Sequence, residues 1–217
     1  MAPVPWGTMK TTLLLAVSAV AAAHLLCGCG AEPAPAPATG QAPASGPRLG
    51  PDVGDRIPAY RATVSRPGTP AATAASFDTH AATKPTLYIM NSTSCPYCTA
   101  YIGRMKDIEK TYMAKGIDVV HVYPVRDQTP ADKAAYHAKN GFAGGLLVDA
   151  DASFAKSLKI NKTPTVVLTD AKGTITYRGR IDDNTKAQKV DARELALAID
   201  AVLGGKPASV TKTEPFG

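Results

Sequence analysis

The chain has 217 residues, with 24 Lys and Arg against 18 Asp and Glu, and it contains four cysteines. This length is enough for one domain with extra segments, and it is short of two full domains. The positive residues are scattered, without a Lys/Arg-rich run or an interleaved aromatic patch, so the net charge of +6 indicates a solvated basic surface and no nucleic-acid partner. Four cysteines are too few for a disulfide scaffold.

Residues 1–28 are predicted to form an export signal. Lys10 precedes an apolar run from Leu13 to Ala23, and this run is shorter than the about 20 residues that a membrane-spanning helix needs. Met9, directly before Lys10, would make a more typical start than Met1. The segment therefore predicts a protein that leaves the cytoplasm.

The end of this signal resembles the bacterial lipobox. The residues are Leu26-Cys27-Gly28-Cys29, and Cys27 stands where a small residue is usual. The resemblance implies that Cys29 is lipidated and anchors the chain in a membrane, facing the periplasm. Gly30 follows, where an Asp would retain a lipoprotein at the inner membrane, so the outer membrane is favoured. A plain cleaved signal and a short membrane anchor are the alternatives.

Residues 29–75 are predicted to be a disordered tether. Ala, Pro, Gly, Ser and Thr dominate the segment, and Ala34-Pro35-Ala36-Pro37 is typical of it. Few large apolar residues are available to offset the entropy of ordering, and the prolines make such a chain extended and semi-stiff. The alternative is an N-terminal subdomain, for which only the segment from Val53 to Tyr60 offers residues that could form a core.

Residues 76–205 are predicted to form one domain. The first elements are a buried strand at Lys84–Met90, a helix after Cys98 that ends at Gly116, a strand at Ile117–Tyr123 and a helix from Thr129-Pro130 to Lys139. The next are a strand at Leu146–Val148, a helix at Asp151–Leu158, and a hairpin of Thr165–Thr169 with Thr174–Arg178. A last helix, capped by Asp191 with Glu194, ends at Gly204-Gly205 and leaves residues 206–217 as a tail. This order predicts an α/β fold, with a mixed central sheet and helices on both faces.

The motif Cys95-Pro96-Tyr97-Cys98 lies between the first strand and its helix. Two cysteines at this spacing can open and close a disulfide at a helix N-terminus, where backbone N–H groups and the helix dipole favour a thiolate. Cys95 is the predicted nucleophile, and Cys98, one turn into the helix, is predicted to resolve the mixed disulfide. Pro96 sets the first helical turn, and Tyr97 shapes the face that a partner meets.

This motif, together with the Thr163-Pro164 step, the hairpin and the final helix, resembles the thioredoxin fold from Pro85 to Leu203. The added strand and helix from Leu146 to Leu158 resemble the insert of periplasmic thiol:disulfide oxidoreductases and of the wider redoxin group. The resemblance implies a cis Thr163–Pro164 bond that faces the cysteines, a conformation that costs only about 0.5–1 kcal/mol before proline.

The same resemblance implies Thr163 and Pro164 as substrate-binding residues and no cofactor besides the Cys95–Cys98 disulfide. Ser94 stands where thioredoxins carry Trp, and Pro-Tyr between the cysteines is the dipeptide of glutaredoxins. The glutathione-binding features of glutaredoxins are not recognisable elsewhere in the sequence, so the resemblance does not imply a dependence on glutathione.

The predicted function is that of a lipid-anchored, extracytoplasmic thiol:disulfide oxidoreductase, with protein thiols and disulfides as substrates. The redoxin-like insert favours a reductase by analogy. Reduction outside the cytoplasm needs electrons from a membrane relay, which is therefore an expected partner. A monomer is the expected state.

Three alternatives use the cysteines differently. A static disulfide would close a very short loop and would add little stability. A copper or zinc carrier would have two thiolate ligands, but His80, His121 and His137 are isolated in the sequence, and no metal site is predicted. A peroxiredoxin-like peroxidase would have Thr at the position of Ser92 and Pro at the position of Tyr88. A Tyr cannot replace that Pro in function.

Overall fold

A computed structural model describes residues 50–69, 74–124 and 128–216. The predicted signal peptide, the predicted lipidation residue Cys29 and the first part of the predicted tether lie outside the described residues. The strands are β1 Arg61–Ser65, β2 Ala75–Asp78, β3 Thr86–Met90, β4 Asp118–Tyr123, β5 Gly145–Val148, β6 Thr165–Thr169 and β7 Ile175–Gly179. The α-helices are α1 Pro96–Tyr112, α2 Pro130–Lys139, α3 Ser153–Ser157 and α4 Glu194–Leu203. No helix in the described ranges has the length and apolar character needed to cross a membrane.

The strands form a mixed sheet in the order β2-β1-β5-β4-β3-β6-β7. The central strands β3, β4 and β5 run parallel, while β6, β7, β1 and β2 pair in antiparallel fashion. Helices α1 and α2 supply the crossovers that parallel neighbours require. The sheet confirms the predicted α/β thioredoxin fold.

Strand β3 lies in the interior of the sheet, between β4 and β6, and is buried along its whole length. Because successive side chains of a strand point to opposite faces, Leu87 and Ile89 join the core beneath α1 and α4. Tyr88 and Met90 join the second core, beneath α3. Helices on both faces explain why this strand is a continuous apolar run in the sequence.

The N-terminal boundary of the domain needs correction. The predicted tether extends to residue 75, but β1 pairs with β5 and β2 forms the edge of the sheet. Ile57 and Val64 are only 1% and 3% exposed and belong to the core. These strands have four or five residues and are largely half-buried or exposed, so their sequence carries no apolar periodicity that would reveal them.

The helix starts agree with the sequence at α2 and differ at α4. Thr129 and Asp132 form the expected capping box at α2, with Pro130 as the first helical residue. At α4 the residue before the helix is Arg193, which makes no side-chain cap, so the predicted cap by Asp191 with Glu194 is wrong. Glu194 instead accepts a hydrogen bond from Arg180 Nε at 3.0 Å, a charge-assisted bond that competes with capping.

The predicted tail packs along β7. The backbone N–H of Arg178 donates to the Thr211 carbonyl at 2.9 Å, and the backbone N–H of Thr213 donates back to Arg178 at 3.0 Å. Gly179 permits this approach, because a Cβ at that position would collide with the side chain and backbone of Thr213. The tail therefore covers part of one edge of the sheet.

Candidate active site

Cys95 is the residue that precedes helix α1, in an extended conformation with φ of −80° and ψ of 120°. Its sulfur accepts a hydrogen bond from the backbone N–H of Cys98 at 3.4 Å. Pro96 follows as the first helical residue, where a missing N–H costs nothing. Both cysteines are free thiols; Cys95 is half-buried and Cys98 is buried.

Residues far apart in the sequence meet at Cys95. The Cys95 thiol donates to the backbone carbonyl of Thr163 at 3.1 Å. The Thr163–Pro164 peptide bond is cis, as the sequence analysis predicts. Thr163 is half-buried and Pro164 is buried, just before β6 begins. The structure thus brings together all of the described residues that the sequence analysis proposed for the site.

The two thiols differ in acidity. Burial raises the pKa of Cys95, but a hydrogen bond with the Thr163 side chain and hydrogen bonds from the backbone N–H groups of Cys98 and Tyr97 outweigh this effect and place the pKa below its ordinary value. Burial raises the pKa of Cys98 to about 12. Since the thiolate is the reactive form, Cys95 is the group suited to nucleophilic attack.

The rim of the site is open to solvent. Ser94 and Pro96 are exposed, and Tyr97 is one of the large apolar side chains in the described ranges that are solvent-exposed, at 41%.

The side chains at the positions relevant to a peroxidase make no hydrogen bond to Cys95 in the part of the chain that the structure describes. Tyr88, at the place where peroxiredoxins have Pro, is fully buried within β3 in the core beneath α3. The Ser92 hydroxyl contacts the Ser94 hydroxyl at 3.3 Å. Neither side chain has a hydrogen bond to Cys95 among the described residues, so the geometry does not favour the peroxidase alternative.

A cluster of buried polar residues next to the site was missed by the sequence analysis. Asn91, Glu109, His121 and His137 are all at most 5% exposed. His80 lies elsewhere, with a ring nitrogen 2.8 Å from the Ile57 carbonyl. The available signal was His121 within the run Val119-Val120-His121-Val122, where a polar side chain interrupts a buried strand. Within the described ranges no group of three or more His, Cys, Asp or Glu side chains is arranged to hold a metal ion.

Comparisons with known proteins give one family. The family model described as Redoxin matches residues 52–195, more than half of the chain. The match begins before β1, in agreement with the corrected domain boundary. Among curated proteins, no significant match was found.

Solved structures share the fold at low sequence identity. An uncharacterized conserved protein from Geobacillus kaustophilus has a TM-score of 0.66 and 19% identity, over 75% of this chain and 88% of its own. A hypothetical protein from Sinorhizobium meliloti 1021 has a TM-score of 0.64 and 23% identity, over 76% and 91%. A candidate thiol:disulfide interchange protein DsbE from Chlorobium tepidum has a TM-score of 0.56 and 18% identity, over 71% and 99%.

Proposed function

Because the chain belongs to the Redoxin family and is a thioredoxin-like oxidoreductase, we propose that it exchanges disulfides with proteins outside the cytoplasm and that it acts as a reductase. The observation that carries this proposal is the asymmetry of the pair. Cys95 is half-buried with a lowered pKa, whereas Cys98 is buried with a pKa raised to about 12. Cys95 is thus accessible and has the more acidic thiol, which suits it to attack, whereas Cys98 is buried and its thiol is less acidic.

The reaction proceeds in two exchanges. The Cys95 thiolate attacks one sulfur of a partner disulfide; a mixed disulfide forms, and the other partner sulfur leaves as a thiolate that takes up a proton. Cys98 then gives up its proton and attacks the Cys95 sulfur, which releases the second partner sulfur as a thiol. The partner gains two electrons and two protons, and the protein is left with a Cys95–Cys98 disulfide.

Substrate binding is assigned to the rim. An extended substrate segment is proposed to lie against Thr163, whose carbonyl is 3.1 Å from the Cys95 sulfur. Pro96 and Tyr97 form the exposed wall beside it, and buried Pro164 supports Thr163 from behind. These residues are uncharged, which fits a protein that recognises the backbone of its substrate more than the substrate's side chains.

The reductase direction requires a source of electrons. Each turnover leaves a disulfide that only an external dithiol can reduce again. Because the sequence begins with a predicted export signal, we assign this role to a membrane relay. The lipid anchor at Cys29 would hold the domain near that relay, and the test is whether Cys29→Ser releases the protein from the membrane fraction.

Single-cysteine variants test the assignment of the two thiols. We expect Cys95→Ser to abolish the reduction of insulin by dithiothreitol-charged protein, because the nucleophile is lost. Cys98→Ser is expected to accumulate mixed disulfides, visible as a mass shift on non-reducing gels. Ser209→Ala, at an exposed serine of the tail, is the control and should keep full activity. Insulin reduction by Cys95→Ser at the wild-type rate would overturn the proposal.

A further inference from the structure

The connection between β7 and α4 is long, and the proposed reaction makes no use of it. It covers residues 180–193, whereas connections in α/β folds usually have about 2–6 residues, and it contains the short 3₁₀ turn Ala187–Lys189. We call it the β7–α4 loop. Ala187 and Val190 face a groove of about 320 Å³, which Ile108 and Thr111 of α1 also line. This part of the loop therefore has open space, and no packed core, between it and α1.

Arg104 of α1 binds the β7–α4 loop at three positions. Its Nη1 atom donates to the two oxygens of the Asp182 carboxylate, at 2.7 and 2.8 Å, and to the Asn184 carbonyl at 2.6 Å. Its Nη2 atom donates to the Thr185 carbonyl at 2.7 Å and to the Ala100 carbonyl of its own helix at 3.4 Å. One side chain thus fixes the first part of the loop against α1.

Tyr101 encloses this contact. The guanidinium carbon of Arg104 lies 3.6 Å from the centroid of the Tyr101 ring, and the Tyr101 hydroxyl donates to Asp182 Oδ1 at 2.9 Å. Tyr101 and Asp182 are 1% and 3% exposed, so water screens the ion pair less than it screens a pair on the surface. A planar guanidinium can stack on a ring and reach several acceptors at once, which the ammonium of a lysine cannot do.

The rest of the β7–α4 loop is tied to this fixed part by its own hydrogen bonds. The backbone N–H of Asp183 donates to the Ala192 carbonyl at 3.1 Å, and the backbone N–H of Asp191 donates to Asp183 Oδ1 at 3.0 Å. The backbone N–H of Lys186 donates to Asn184 Oδ1 at 3.0 Å. Because the exposed residues 186–189 follow directly, the position of the fixed part determines where they lie.

The β7–α4 loop runs beside the substrate-binding residues assigned above. Val166 of β6 pairs with Gly179 of β7, Pro164 lies two residues before Val166, and the loop begins directly after Gly179. The loop therefore leaves the sheet beside Pro164. Arg104 follows Tyr97 by about two helical turns, so the two side chains lie on the same face of α1. The loop thus meets α1 on the face that carries Tyr97 at the rim of the site.

We propose that Arg104 is a positioning residue that holds the β7–α4 loop as a further wall of the substrate site, and that protein substrates contact this wall. A protein that brings a disulfide to Cys95 covers far more surface than the disulfide itself, whereas a small disulfide reacts at Cys95 alone. A loop that is already fixed loses less conformational freedom when a partner binds. This inference rests on the proposed function, and it adds the surface that separates protein partners from small disulfides.

Arg104→Lys tests the proposal, because it keeps a positive charge beside Asp182 but cannot reach the carbonyls of the loop and stack on Tyr101 as well. The reduced protein would be mixed with excess insulin or with hydroxyethyl disulfide, and oxidation of the cysteines would be followed by alkylation and mass spectrometry. We expect the second-order rate constant for insulin to fall about tenfold, as for the loss of one or two hydrogen-bonding contacts with the partner. The rate constant for hydroxyethyl disulfide should stay the same, whereas a general loosening of α1 would lower both.

Arg66→Lys is the matched control. Arg66 pairs with Asp118 at 2.8 Å, and Asp118 lies opposite Thr86 at the start of β3, at the end of the sheet away from the cysteines. Both rate constants should be unchanged in this variant. An unchanged rate constant for insulin in folded Arg104→Lys, or an equal loss with the two disulfides, would overturn the proposal.

A crosslinking measurement covers the case in which Arg104→Lys does not fold. In Cys98→Ser protein trapped with insulin as a mixed disulfide, the photoreactive residue p-benzoylphenylalanine would replace Lys186 of the loop. Irradiation should give a product with insulin that survives dithiothreitol, and the same probe in place of Lys84, exposed before β3, should give none. A mixed disulfide without this product would overturn the role of the loop. If no mixed disulfide forms, the proposed function itself is contradicted.

Discussion

At the scale of single residues, Cys95 and Cys98 differ because one precedes the helix and the other lies inside its first turn. Cys95 receives backbone hydrogen bonds that favour its thiolate, whereas Cys98 is enclosed by the core. The same chemical group thus acts as an accessible nucleophile at one position and as a protected second thiol three residues later. This difference in acidity follows from where the two cysteines lie relative to the start of helix α1, and it requires no charged side chain at the rim of the site.

Alkylation as a function of pH measures this difference directly. In Cys98→Ser, we expect Cys95 to react with iodoacetamide with a midpoint below the about 8.5 of an unperturbed cysteine, because hydrogen bonds stabilise its thiolate. In Cys95→Ser, Cys98 should react far more slowly at every pH below about 10, because it is buried and its pKa is raised to about 12. Equal rates for the two thiols would contradict the assignment of roles.

The cysteines and the Thr163–Pro164 step are recognisable in the sequence because their chemistry depends on a few adjacent residues. The buried polar cluster is not, since Asn91, Glu109 and His121 meet only through the parallel register of β3 with β4 and the packing of α1 on the sheet. A histidine within an apolar strand indicates that its side chain is buried, but its hydrogen-bond partners can be identified only from the packing of the strands and helices.

At the scale of elements, the contact between the tail and β7 depends on one glycine. Gly179 has a φ of 148°, and a Cβ there would collide with Thr213. We expect Gly179→Ala to lower the free energy of unfolding by about 2 kcal/mol or more, through backbone strain and loss of this contact. Urea denaturation monitored by circular dichroism provides the measurement.

Gly103→Ala is the matched control for this variant. Gly103 lies on the exposed face of α1, where a Cβ would meet no other atom. The same substitution should stabilise the protein there by about 0.5–1 kcal/mol, because alanine favours a helix over glycine. Equal effects at the two glycines would show that the tail does not depend on Gly179.

The elements from β3 to α4 could be predicted because their apolar residues recur at the period of a strand or helix and their ends carry clear signals, such as Thr129-Pro130 and Gly116. Strands β1 and β2 could not, because few of their side chains enter the core. They are ordered by pairing with strands that are far away in the sequence, as Val64 pairs with Leu147.

At the scale of the whole molecule, the sheet brings the site together where β3 ends and β6 begins. Strand β3 leads through Asn91 and Ser92 to the cysteines, while Thr163 and Pro164 precede the antiparallel neighbour β6. The rim of the site therefore faces solvent, whereas the buried polar cluster of Asn91, Glu109, His121 and His137 lies in the core. One face of the site is thus available to a partner.

The proposed direction of electron flow is the central claim of this account, and the reduction potential of the Cys95–Cys98 couple tests it most directly. The protein would be equilibrated with glutathione or dithiothreitol buffers, and the reduced fraction would be measured by thiol alkylation. We predict a potential near that of thioredoxin, about −270 mV, as expected of a reductase whose second thiol stays protonated. A value near about −120 mV, typical of a protein that installs disulfides, would contradict the reductase function.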